Sequence, residues 1–167
     1  LATSELLLSK GITSFQDASP GNSVERFDAF HVMKRGCRHG PRVTIMPGFD
    51  HLDGFQERSM HYGFGDRDIR VGHAKLMLAA TTGTLMPPLE ELLNRVMEAQ
   101  ERGFPVAIHA VEAEAVEAAA QVFTQVRVGE GIRLRHRIEH ASECPPEALE
   151  QLQASGAVVV TQPGFIY

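Results

Sequence analysis

The chain has 167 residues, 43% hydrophobic and 22% charged, with 15 Gly, 9 Pro and a formal net charge of −5. That balance sets aside disordered, collagen-like and coiled-coil chains, and 16 Lys+Arg against 21 Asp+Glu leave no basic excess for nucleic acid as the main partner. No apolar run reaches the roughly 18 residues that cross a bilayer, and no basic-then-apolar leader opens the chain, so a cytoplasmic protein acting on a small molecule, with no membrane partner, is expected. Two cysteines, Cys37 and Cys144, are too few for a disulfide framework or a thiolate zinc site, and are expected to be reduced and structural.

In chain order, apolar runs alternate with amphipathic stretches, the pattern of repeated βα units around a parallel sheet. A first strand is predicted over Ile12–Asp17. A helix follows over Asn22–Gly36, with Asn22 or Ser23 as N-cap and Phe27, Phe30, His31 and Met33 toward the sheet. A second strand covers Arg42–Met46. Pro47–Arg70, rich in Gly, Asp, His and aromatics without period, reads as a long functional loop holding at most one short helix. A third strand spans Val71–Leu78.

Leu89, Leu92, Leu93, Val96 and Met97 then recur at helical spacing between Pro87-Pro88 and Gly103, the expected C′ residue. The strand Phe104–His109 precedes a helix striped by Val116, Ala119, Ala120, Phe123 and Val126. The strand Leu134–His140 precedes a helix carrying Ala148, Leu149 and Leu152 between Pro145-Pro146 and Gly156. A last strand covers Ala157–Thr161.

Six such strands suit an open doubly wound sheet or part of a barrel. Leu1 opens mid-pattern without Met, and the chain stops just past a strand. A complete (β/α)8 TIM barrel needs about 250 residues. The expectation is therefore a partial barrel, approximately strands two to seven with the first and eighth absent, forming a single domain over 1–167. Its exposed sheet edges would be covered by a second copy of the chain or by missing segments.

In parallel α/β folds the chemistry sits at the C-terminal strand ends. Two strands end in histidine. Period two puts His109 with Pro105 and Ala107 on the inner face, and His140 with Leu134, His136 and Ile138. Each imidazole alone fits a satisfied core histidine as well as a ligand. On neighbouring strands roughly 4.8 Å apart, two can reach one metal ion. Lys75, in the middle of a buried strand with Val71, His73 and Met77 on its face, must be paired, neutralised or converted to a carbamate that could bridge two ions. A salt-bridged interior lysine is the competing reading.

Gly11–Ala18, His73–Leu78 with the following Thr-Thr-Gly-Thr, Phe104–Glu112 and Arg135–Ala141 together resemble the metal-dependent amidohydrolases, specifically the family 3 group with N-substituted formamide deformylase-like enzymes. The resemblance runs through nearly the whole chain, and its two histidine motifs are the most specific part. It implies a distorted (β/α)8 barrel with one or two zinc or other divalent ions that activate water to hydrolyse non-peptide C–N bonds. His109, His140 and Lys75 match metal ligands, Lys75 as the bridging lysine.

The family's His-x-His pair and its general-base aspartate have no counterpart in the chain. The expected base lies beyond the C-terminus, so no catalytic residue is assigned here, and the chain alone is expected to be nearly inactive and to bind metal weakly. The stretch after Lys75 reads Leu76-Met77-Leu78 and onward, without the Asp-Gly of many relatives.

Two other readings use the same residues. His136-Arg137-Ile138-Glu139-His140 fits the H-x-x-E-H of zinc peptidases if helical, against which stand Gly129, Gly131 and Pro145-Pro146. A barrel remnant serving as a structural or binding module is the non-enzymatic alternative. Glu112 is expected in the first turn of a helix, Arg137 is expected to pair with Glu139 or a helix carboxylate, and Asp17 to shape a turn or the pocket mouth.

Overall fold

The computed structural model describes residues 2–36, 40–81, 83–126, 135–162 and 164. Cys37 and Leu134 lie outside the described residues. The chain forms two compact units, residues 1–74 and 75–167.

The first unit runs α1 (Ala2–Ser9), β1 (Ser14–Asp17), α2 (Val24–Gly36), β2 (Arg42–Ile45), a 3-10 turn (Phe49–His51), α3 (Leu52–Glu57) and β3 (Ile69–Val71). Its sheet has the order β1-β2-β3, all parallel, with Phe15 beside Val43 and Val43 beside Ile69. Val24 and Phe27 bury one side of α2, and Phe27 meets Phe55 of α3 edge-on at 6.5 Å. Met33, expected against the sheet, is 56% exposed.

Asn22 does not cap α2. Fully buried, its Nδ2 donates to the Asp17 backbone oxygen, Asp17 Oδ1 and the Met46 backbone oxygen, each at 3.1 Å. It thereby latches the C-terminal ends of β1 and β2. Gly48 follows at a place where a Cβ would come within 1.8 Å of the Pro20 carbonyl oxygen, so only glycine fits. Asp17 shapes a turn: its Oδ1 accepts from Ser19 N at 3.0 Å and Ser19 Oγ at 2.6 Å.

The strand expected over Val71–Leu78 is two strands in different sheets, β3 and β4 (Ala74–Met77). The break falls at Gly72, whose N–H donates to the Ile45 oxygen at 2.7 Å and whose missing Cβ would lie 2.7 Å from Thr44 Cγ2. So close an approach draws the backbone onto β2 and ends the run there.

The second unit continues with β5 (Ala79–Thr81), β6 (Thr84–Met86), α4 (Leu89–Glu101), β7 (Val106–Ala110), α5 (Ala113–Gln125), β8 (Arg137–His140), α6 (Pro146–Ser155) and β9 (Val158–Val160). β5 and β6 form an antiparallel hairpin that the apolar pattern did not announce. The main sheet has the order β4-β7-β8-β9, with β7, β8 and β9 parallel. Leu92, Val96 and Ala99 of α4, Val116, Ala119 and Phe123 of α5, and Ala148 and Leu152 of α6 are buried, as their spacing requires. The architecture is mixed α/β with parallel sheets.

Candidate metal centre

The register of β7 on β8 sets Ile108 beside Ile138 and His109 beside Glu139. Aligned residues of parallel strands point to the same side, so the strands have two unlike faces. One carries Ile108, Ile138 and His136 toward the helices, for the His136 ring stacks on Phe123 of α5 with centroids 5.2 Å apart and planes 7° off parallel. The other carries Ala107, His109, Arg137 and Glu139.

His140 belongs by alternation to the helix face, with His136 and Ile138. The expectation that His136 and Ile138 share an inner face with His140 is thus corrected, and His140 parts from them through its backbone. His140 has φ +74° and Ala141 φ +48°, both left-handed, and the strand turns over at its last residue. The imidazole therefore meets that of His109, ring centroids 4.7 Å apart and edge-on at 76°. Non-glycine residues enter this region at a cost, and such residues concentrate at functional sites.

Lys75 rises from β4, the neighbour of β7 on the side away from β8. Only 5% of it is exposed. Burial pushes its amine below the usual lysine range, Arg137 adds to the effect, and the Glu139 carboxylate opposes it. His109 is also held below its ordinary value, first by burial and then by His140 and Lys75. Lys75, His109 and His140 thus come from three successive strands of one sheet, and the charge of Lys75 contributes to lowering His109.

Two residues beyond those predicted belong to this region. Glu139 is buried and takes a two-pronged grip from Arg137, Nε to Oε1 at 2.5 Å and Nη2 to Oε2 at 3.1 Å. The pairing was legible in the alternating charges, but parity had put Arg137 and Glu139 on the outward face, and the register instead sets Glu139 beside His109. Gln162, just past β9, reaches His140 with Oε1 2.7 Å from Nδ1. Nothing in the sequence marks it. Glu112 sits at the N-cap of α5 without capping it and instead accepts from Ala80 N at 3.4 Å.

His136 is a structural histidine. Val106 N–H donates to its Nδ1 at 3.1 Å, which puts the proton of the neutral ring on Nε2, beside the side-chain amide of Gln100. Burial pushes its pKa down to about 4. With His136 turned to the helices and Ile138 in a strand, the helical H-x-x-E-H reading fails. Cys144 is a free thiol that burial pushes up, away from reactivity.

The donor set of two imidazoles and a buried amine suits a divalent cation in part. Imidazole is a ligand when neutral, the state that burial favours at His109, whereas an amine must lose its charge or become a carbamate to ligate. Among the described residues no three His, Cys, Asp or Glu side chains gather as a complete ligand set.

The sequence pattern of the amidohydrolase family matches residues 5–167. The chain belongs to that family. Two solved structures share its fold. One is an uncharacterized metal-dependent hydrolase from Pyrococcus horikoshii OT3, 24% identical with a TM-score of 0.80 over 98% of this chain and 36% of that one. The other is an uncharacterized metal-dependent hydrolase from Pyrococcus furiosus, 26% identical with a TM-score of 0.81 over 99% of this chain and 37% of that one. This amidohydrolase chain thus spans little more than a third of the length of either. No curated protein matches it. No helix among the described residues is long and apolar enough to cross a membrane.

Proposed function

We propose that the chain is part of a metal-dependent hydrolase acting on non-peptide C–N bonds of a small amide, of the N-substituted formamide deformylase-like kind, and that it supplies part of a (β/α)8 barrel. The observation that carries this is the meeting of His109 and His140 from neighbouring parallel strands, achieved through a left-handed backbone. Family membership and the Pyrococcus metal-dependent hydrolases support it.

His109 and His140 would hold zinc or another divalent ion, and Lys75, as its carbamate, would add an anionic oxygen. The chemistry such an ion supplies is polarisation of the amide carbonyl and acidification of water. The chain's own contribution is to favour the neutral form of His109 by burial, to set the two rings edge-on to one another, and to balance Arg137 with Glu139.

Titration with cobalt, read by its visible absorption, tests this. The 167-residue chain should take up cobalt weakly, with a Kd in the micromolar range or above. His109→Ala and His140→Ala should each lower affinity at least tenfold, and turnover of N-formyl or N-acyl amines by the chain alone should be negligible. Cobalt binding indifferent to both substitutions would refute the metal site, and brisk turnover would refute its incompleteness.

A further inference from the structure

An unbroken β8 would send His140 to the same side as His136 and Ile138. The left-handed pair His140-Ala141 prevents this, and the turned backbone is secured where the Ala141 N–H bonds the Ala110 oxygen of β7 at 3.0 Å. The backbone sets the direction of the ring but not which of its nitrogens bears the proton. Nδ1 meets the Gln162 Oε1 at 2.7 Å, and this contact bears on the choice. An amide oxygen only accepts, so Nδ1 carries a proton and Nε2 of the neutral ring keeps its lone pair. An imidazole left to water favours the opposite tautomer, with Nε2 protonated and unable to ligate.

We infer that Gln162 is a positioning residue of the His109–His140 pair: its carboxamide oxygen selects the Nδ1–H tautomer of His140 and so makes Nε2 the nitrogen offered to a shared cation. The cation rests on the function proposed above; the tautomer does not, because it is a property of the metal-free chain. Gln162 suits the task by its place in the sheet. It lies two residues past β9, the strand paired with β8, so the same ladder that aligns Glu139 with Val160 delivers its side chain to the end of β8. Partners of this kind on ligating histidines are typically worth 10- to 100-fold in metal affinity.

The test uses the metal-free, 15N-labelled 167-residue chain at pH 8, where long-range proton–nitrogen correlation spectra distinguish protonated from bare ring nitrogens. The wild-type His140 should show the proton on Nδ1. In Gln162→Ala it should move largely to Nε2 while the backbone amide spectrum away from the site stays unchanged, and cobalt affinity should fall about 10- to 100-fold. Gln162→Glu keeps an acceptor at the same reach and should retain the wild-type tautomer. A proton on Nε2 in the wild type, or a tautomer unmoved in Gln162→Ala, overturns the assignment. A chain that shows the tautomer switch but takes up no cobalt upholds Gln162 in setting the tautomer and refutes the metal site instead.

Discussion

His109 and His140 sit at equivalent places in the sequence, each ending a strand, yet only one follows from alternation. His109 falls on the face that period two assigns it, beside Glu139, because β7 stays extended through Ala110. His140 reaches the same region by reversing its backbone at φ +74°, and no composition signal foretells a left-handed histidine or alanine. The candidate ligands were legible from residue type and strand position, while the geometry that unites them was not. Gln162 was invisible for a related reason: its role depends on a ladder between β8 and β9, not on its neighbours in the chain. His136, a ligand only in the helical H-x-x-E-H reading, is a core residue. Its folded pKa of about 4 lies below the ordinary 6.5, so the unfolded chain binds the extra proton as the pH falls between these values. Stability contributed by the neutral ring is complete above pH 6.5 and is lost on acidification toward 4, by about 3 kcal/mol in all. Urea unfolding of wild type and His136→Phe between pH 7 and 4 should show this extra slope in the wild type alone.

Among the elements, the helices were the most legible. α4 and α6 fall where apolar stripes lie between prolines and glycines, α5 follows its own apolar stripe, and Gly103 and Gly156 end α4 and α6 with φ +80° and +71°. The strands were legible as runs but not as partners. Val71–Leu78 reads as one apolar segment, and its division between two sheets depends on how closely Gly72 approaches Thr44, a tertiary distance. Asn22 misled in the same way. As a residue type it is an excellent N-cap, but three acceptors from β1 and β2 claim its amide instead. Asn22→Ala should therefore cost more than a lost cap. It leaves the Asp17 and Met46 backbone oxygens without this donor, a penalty of about 2–4 kcal/mol measurable as a lower midpoint in denaturant.

For the whole molecule, family and fold agree over nearly all of this chain, while the chain spans little more than a third of the related structures. β9 ends the order of its sheet among the described residues, and Val158 and Val159 are 37% and 42% exposed. An apolar strand at such an edge is a template for further pairing. Sedimentation of the 167-residue chain should accordingly show association that rises with concentration, and Val159→Lys should reduce it. Chain lifetime is a separate matter, and the Asn22 latch bears on it. Asparagine side chains slowly deamidate in water, and this one is followed by a small serine. Burial shields it while the unit stays closed. Each opening that wets the amide exposes it to conversion into an aspartate, which would have no Nδ2 to donate and would set a second carboxylate against Asp17. Damage there would be permanent, so the shelf life of this unit depends on how seldom the ends of β1 and β2 part.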